Sequence, residues 1–280
     1  MKAILSAILL VVFTGCGEAA DTRTDRKPDA EPESKPAPRP AKVVLKTERT
    51  IHVFVALCDN DSQGIAPVSK LLGDGDDPRN NLYWGAMYGT KTFLRRSSAW
   101  DVVLATKNIS SSVLERIILK HRATGAYLVA DAYRGVKIKE TVEAFLDAAA
   151  GNKPVVLEVG GVRLGICGGA NLVAYVGHNG LMDFQVRLPR RTEPAGVGKA
   201  AIVLACKSKP YFRNTLTQLG CKPILLTTGL MAPEAYSLEA AVSAWLSGHG
   251  AQGMRARAAL AYNKYQKCGI GGATRLFHAE

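Results

Sequence analysis

From residue 51 onward, short apolar runs rich in β-branched residues alternate with longer stretches whose apolar positions recur every three or four residues. The first run, Ile51 to Leu57, is almost continuously apolar and ends in Asp59-Asn60-Asp61. This is the pattern of a strand buried on both faces and closed by a polar turn. Trp100 to Ala105 repeats it. Residues 113 to 131 hold two more apolar runs around Ala123-Thr124-Gly125, readable as a helix and a strand or as a hairpin. The helix-then-strand reading is preferred, with Ala126 to Ala130 as the strand. Beyond it, Ile138, Val142, Phe145, Leu146 and Ala149 share one helical face, and Gly151 stops that helix.

Leu172 to Val176, Ala200 to Ala205 and Pro223 to Leu226 read as three further strands, with a helix over Tyr211 to Leu219 between the last two. Pro233 suits a first helical position and opens a stripe of Ala235, Leu238, Ala241, Val242 and Trp245. A last helix is expected over Gln252 to Gln266. Residues 62 to 99 have little periodicity and read as a loop with one helix near Tyr83 to Phe93. Strands that alternate with helices, in runs too continuous for a half-exposed sheet, predict an α/β fold. The expected architecture is a three-layer sandwich with a mostly parallel sheet and helices on both faces.

The N-terminus follows a different pattern. Met1-Lys2, eleven mostly apolar residues from Ala3 to Phe13 and Thr14-Gly15-Cys16 form the basic start, short apolar core and small-residue end of a secretory signal. Val12-Phe13-Thr14-Gly15-Cys16 resembles the bacterial lipobox, in which the bond before a cysteine is cut and that cysteine is lipidated. Residues 17 to 41 then hold Pro28, Pro32, Pro36, Pro38 and Pro40 among charges and no large apolar side chain. Such a stretch cannot bury a core and suits an extended tether. The expected organisation is a signal peptide over 1–15, a lipidated Cys16 and Pro-rich tether over 16–46, and a single domain over 47–280. The implied location is the bacterial cell envelope, with the chain exported and held at a membrane through its lipid.

Composition changes little of this. At 47% apolar and 21% charged residues the chain is an ordinary globular protein, which excludes collagen, coiled coil and multi-span membrane classes. From residue 51 on there are 27 Lys and Arg against 17 Asp and Glu. No zinc-finger spacing, RNA-binding aromatic motif or aromatic-laced basic helix accompanies that excess, so no nucleic-acid partner is expected. Attraction to anionic headgroups is another use for it.

In an open parallel sheet, chemistry sits at the carboxyl ends of the strands. Those ends here carry Cys58, Asp59 and Asp61 after the first strand, His178 after Leu172 to Val176, and Cys206 after Ala200 to Ala205. Neighbouring parallel strands would bring an imidazole and a thiol to one edge, as a Cys/His nucleophile pair requires. Gly177 and Gly180 let the chain turn sharply around the histidine. Five cysteines remain once Cys16 is set aside, so in an oxidising compartment at least one stays outside any intramolecular disulfide. Cys58 is the chief rival to Cys206.

Two blocks, Leu172-Val173-Ala174-Tyr175-Val176-Gly177-His178-Asn179-Gly180 and Ala201-Ile202-Val203-Leu204-Ala205-Cys206, resemble the caspase-like cysteine peptidases, the clan of legumains, gingipains, clostripain and metacaspases. In that clan one apolar strand ends in His-Gly and a second in Ala-Cys. The resemblance implies a mostly parallel six-stranded sheet between helices, with Cys206 as nucleophile and His178 as its acid/base partner. It also implies oxyanion donors from the backbone amides of Cys206 and of the turn at Gly180, and a peptide or protein substrate. Asp59, Asp61 and Asp183 are the acids placed to pair with a basic substrate side chain, or else to cap turns. Here Asn179 stands between the histidine and the glycine, and Lys207-Ser208-Lys209-Pro210 replaces the caspase signature after the cysteine. The likeness is therefore to the clan and not to caspases themselves.

No organic cofactor is expected, because Gly160-Gly161 and Gly165 to Gly169 lack phosphate-cradling spacing and read as a glycine-lined loop. Asp59-Asn60-Asp61 opens like a calcium loop but fails at Gln63 and Lys70, while Asp74, Asp76 and Asp77 offer calcium another geometry. Two functions from different classes follow: a membrane-tethered cysteine hydrolase, or a catalytically silent binding module of the same fold at the cell surface.

Overall fold

The computed structural model describes residues 47–191 and 199–280, and Val44–Glu280 form one compact unit. The expected signal, lipidation cysteine and tether fall outside the described residues. In chain order the elements are β1 (Thr47–Glu48), β2 (Thr50–Ala56), α1 (Thr90–Arg96), β3 (Trp100–Lys107), β4 (Val113–His121) and β5 (Tyr127–Tyr133). There follow α2 (Ile138–Ala149), β6 (Pro154–Val159), β7 (Val162–Cys167), β8 (Leu172–Val176), β9 (Ala200–Leu204) and α3 (Ser208–Gln218). The chain ends with β10 (Lys222–Thr227), α4 (Ala235–Leu246), α5 (Ala251–Gln266), α6 (Ile270–Leu276) and β11 (Phe277–His278). Among the described residues no helix is long and apolar enough to cross a membrane.

Eight strands form one mixed sheet in the order β11-β10-β9-β8-β2-β5-β4-β3. The five from β10 to β5 are mutually parallel, β11 at one end and β4 at the other run against them, and β3 pairs antiparallel with β4. Parallel strands with both faces covered must be apolar throughout, and β2, β5, β8 and β9 are buried along their whole length. Alternate residues of β2 point to opposite layers. Ile51, Val53 and Val55 join Leu94 of α1, Leu238 and Val242 of α4, Met254 of α5 and Ala273 of α6. Phe54 and Ala56 join Val142 and Phe145 of α2 and Phe212 and Leu216 of α3. Helices thus cover both faces, as the pattern predicted.

Several elements depart from the sequence reading. Trp100 to Ala105 is a strand, but beyond the buried Trp100 it is exposed, with Val102 at 45% and Leu104 at 44%. It is the outer strand of an antiparallel hairpin, so its apolar run reflects β propensity and not a doubly covered position. The helix expected after residue 113 is strand β4, because pairing with both β3 and β5 satisfies its backbone better than an isolated helix would. Thr124 and Gly125, at φ +72°, make the turn between β4 and β5. The helix expected near Tyr83 to Phe93 begins only at Thr90. The glycine-lined stretch around residue 165 is no loop. β6 and β7 form a hairpin that pairs with β1 in a separate three-stranded sheet, and Gly160 and Gly161 make its turn with positive φ.

A buried polar network ties this small sheet to the large one. The Cys167 amide donates to His52 Nδ1 at 3.0 Å, so the ring proton sits on Nε2, which donates to Asp131 Oδ2 at 3.0 Å. Arg116 forks onto the same carboxylate at 2.6 and 2.7 Å. Burial alone would raise the Asp131 carboxyl, but hydrogen bonds from Arg116 and His52 outweigh it and hold it below the usual carboxylate range.

Asp131→Ala should therefore destabilise the fold by about 3–5 kcal/mol at neutral pH, since it leaves the buried His52 and the partly buried Arg116 without their partner. A carboxyl depressed in the folded state contributes stability above its unfolded pKa of about 3.9 and loses it as pH falls through the folded value. Chemical denaturation with Asp131→Asn at pH 7 and at pH 3 checks the sign: the gap from the parent should narrow at the lower pH.

Candidate functional site

Parallel pairing sends the carboxyl ends of β2, β8, β9 and β10 to one edge of the sheet, and each is followed by a tight turn. After β2 come Leu57, Cys58 and Asp59. After β8, Gly177 sits at φ +147°, where a Cβ would lie 2.8 Å from the Ala56 carbonyl oxygen, so only glycine lets β8 turn beside β2. His178, Asn179 and Gly180 follow and lead into a short 3-10 turn, Gly180–Met182. After β9 come Ala205 and Cys206, and Lys207 turns the chain into α3 with left-handed φ of +49°.

Pairing of Val176 with Leu204 brings the histidine and cysteine turns side by side, and a side chain joins them. Asn179, fully buried, donates from Nδ2 to the Cys206 carbonyl at 2.8 Å and accepts from the Leu181 amide at 3.2 Å. The residue that breaks the His-Gly pattern in the sequence is thus the clamp between the two turns. Behind them, Ser208 Oγ donates to the Val203 carbonyl, the Thr227 amide donates to Ser208 Oγ at 2.8 Å, and the Thr227 hydroxyl donates to the Ala205 carbonyl. Both side chains are buried and fix the backbone on either side of Cys206.

His178 is itself buried, at 6% exposure. Its Nε2 lies 2.6 Å from Asp183 Oδ2, and its carbonyl accepts from the Tyr175 hydroxyl at 2.7 Å. Asp183 also accepts from the Gly64 amide at 3.1 Å, which ties the loop after β2 to the histidine turn. Of the three acids singled out in the sequence, only Asp183 touches His178, while the Cys206 sulfur meets Met231. Asp59 and Asp61 line a separate cleft of about 640 Å³ with Lys70, Asp74, Asp76 and Val136. Asp59 Oδ1 caps the amides of Asp61 and Ser62, a turn-forming role. The Gly180 amide donates to the His178 carbonyl at 3.1 Å, so in this conformation it is not free to hold an oxyanion. Gly180 has a packing reason to be glycine: a Cβ there would lie 2.4 Å from the Phe184 ring.

The thiols separate by environment, and the five cysteines of the described residues are all free. Burial pushes Cys58 up to about 11, with Asp59 adding to the shift and a hydrogen bond from Tyr83 opposing it. Burial pushes Cys221 up to about 12 and also raises Cys167. A thiol held protonated is a poor nucleophile at neutral pH, and Cys58 is also fully buried, which ranks it below the partly exposed Cys206. Cys268 is exposed and lies 3.9 Å from the Gly269 carbonyl. Cys206 is partly exposed and faces the loop after β10: the Met231 amide lies 3.4 Å from its sulfur and the Met231 carbonyl 3.5 Å. The Ala232 amide of the same loop donates to the Tyr262 hydroxyl at 3.1 Å.

Asn81 is a second site residue that sequence reasoning missed. It is fully buried, accepts from the Cys58 amide at 3.0 Å and donates to the Cys58 carbonyl at 2.8 Å. Two asparagines each grip the turn of one strand-end cysteine. The only signal for Asn179 was its place between His178 and Gly180, and Asn81 had none.

The carboxylates offered to calcium are engaged in local structure. Asp74 accepts from the Asp76 amide, Asp76 pairs with Arg134 at 2.6 Å, and Asp77 accepts from the Arg79 amide and Asn80. Among the described residues no group of three or more His, Cys, Asp or Glu side chains is arranged to hold a metal ion. Compared with known proteins, no family model, curated protein or solved structure matches this chain.

Proposed function

We propose that this protein is a caspase-like cysteine hydrolase that cleaves peptide bonds, exported and held at a membrane through Cys16. The observation that carries the reading is the joining of the His178 and Cys206 turns on adjacent parallel strands, with the histidine in turn gripped by Asp183 at 2.6 Å. Nucleophile, base and orienting group on neighbouring strand ends is the arrangement of covalent acyl transfer. The mostly parallel sheet with helices on both faces supports the same family, as do the two sequence blocks.

With the Nε2 proton donated to Asp183, Nδ1 is the ring atom left to act as base. The Cys206 thiol passes its proton to that nitrogen, and the sulfur forms a bond to the scissile carbonyl carbon. As the C–N bond breaks, His178 returns the proton to the leaving amine. Water, deprotonated by the same ring, then releases the acyl group and restores the thiol. The Met231 amide beside the sulfur is a donor to the charge that develops there, and the Cys206 amide is the backbone donor to the oxyanion. Asp183 acts through the ring and is a positioning residue.

A silent binding module of the same fold is the second reading, and the internal use of the Gly180 amide favours it. Labelling with iodoacetamide or an acyloxymethyl-ketone at neutral pH separates the two. A hydrolase labels fast at Cys206; a silent module labels at the exposed Cys268 alone.

Cys206→Ala should abolish fast labelling and any peptidase activity while the unfolding midpoint stays within a few degrees, since one small thiol is worth about 1 kcal/mol. His178→Ala should slow the reaction about 10²- to 10⁴-fold. Equal labelling of parent and Cys206→Ala would end the assignment.

Asp183→Asn should lower the maximal inactivation rate about tenfold or more and leave the saturation constant for the probe unchanged, with partial recovery in Asp183→Glu. A change confined to the saturation constant would return Asp183 to a substrate-binding role.

Cys16→Ser should move the protein from the membrane fraction to the soluble fraction. Recovery of the unaltered protein wholly in the soluble fraction, with a free amino terminus and no lipid mass, would refute the anchor.

A further inference from the structure

The C-terminal helices carry a charge pattern that the chemistry at Cys206 does not use. From Ala240 to Ala279 the chain has five Lys and Arg and no Asp or Glu. On α5, Met254, Ala258, Ala259 and Tyr262 are buried toward the sheet. The helical period then turns Ala256, Leu260 and Lys264 outward, with Lys267 just beyond the helix, and all four are exposed. Leu260 is 59% exposed and Ile270, at the start of α6, 48%. Arg257 and Arg275 are exposed as well. None of Arg257, Lys264, Lys267 and Arg275 pairs with a carboxylate among the described residues. The acids that adjoin the segment are engaged, Glu239 by Ser97, Glu234 by Tyr236 and Gln266, and Glu280 by Arg213.

We propose that this face of α5 and the start of α6 docks on an anionic lipid surface, as a contact separate from the N-terminal anchor. The unpaired cations meet headgroup charges, and Leu260 and Ile270 enter the apolar side of the headgroup layer. Charge complementarity selects an anionic partner, and the two bare aliphatic side chains select lipid among anionic partners. A sugar–phosphate backbone offers them nothing to bury against, whereas an interfacial helix uses both components.

The test uses the compact unit Val44–Glu280, which has neither leader nor Cys16, in flotation with phosphatidylcholine vesicles containing about one-third phosphatidylglycerol. It should float with these vesicles at low salt, be released at high salt, and ignore pure phosphatidylcholine. Arg257→Gln, Lys264→Gln and Lys267→Gln together should weaken partitioning about a hundredfold, at roughly fivefold per charge. Leu260→Ser with Ile270→Ser should weaken binding and leave its salt dependence intact. The control Lys107→Gln, Lys120→Gln and Lys139→Gln removes the same charge from exposed sites elsewhere and should bind like the parent. Three results would overturn the proposal: no flotation with anionic vesicles, an equal loss in the control, or binding to a DNA duplex in place of vesicles.

Discussion

The parallel pairing of β8 between β2 and β9 is the constraint on which the rest depends. Parallel strands cannot be joined by a short turn, so each connection must cross a face of the sheet and return. Every parallel strand consequently delivers its carboxyl end to the same side. Residues 172 to 206 need no special folding signal to place a histidine and a cysteine side by side. The sheet does it once β8 and β9 are neighbours in register, and the turns need only be held still.

They are held by buried polar side chains, each with both ends satisfied. Asn179, Asn81, Ser208 and Thr227 bond backbone groups that a turn leaves unpaired, and a buried group left unpaired costs about 1–3 kcal/mol. The His52, Asp131 and Arg116 network does the same between the two sheets. Apolar packing sets the layers, while these contacts choose one conformation at the edge where chemistry would occur.

The sequence was readable where burial alone determines the element. α2 falls at Ile138–Ala149 and β8 at Leu172–Val176, as the apolar pattern predicts, and the neighbouring turns of His178 and Cys206 follow from strand order. It was unreadable where an element's partner lies far along the chain. Val102 to Ala105 has the residues of a central strand, and nothing local says that it lies at the sheet's edge. β4 carries Leu114, Ile117 and Ile118 at a spacing that suits a helix as well as a strand, and pairing with β5 decides it. The contact between Asp183 and His178 was illegible for a related reason: it depends on the 3-10 turn at Gly180, which has no sequence signature. The Asn clamps were invisible because their partners are backbone atoms.

Asn179 stands directly before Gly180, and this dipeptide has a chemical cost. With no side chain on the following residue, a free Asn-Gly peptide is prone to cyclise through the next amide nitrogen with loss of ammonia, and water then opens the ring to isoaspartate or aspartate. In the folded protein the Asn179 amide is buried and bonded at both ends, and the Gly180 amide is occupied by the His178 carbonyl, so neither reacting group is free. Each opening of the turn removes that protection. Once converted, residue 179 would present a carboxylate to the Cys206 carbonyl where a donor had been, and the two turns would repel instead of bond. The contact that assembles the edge therefore also sets how long it lasts, because conversion follows the fraction of time for which that turn is open.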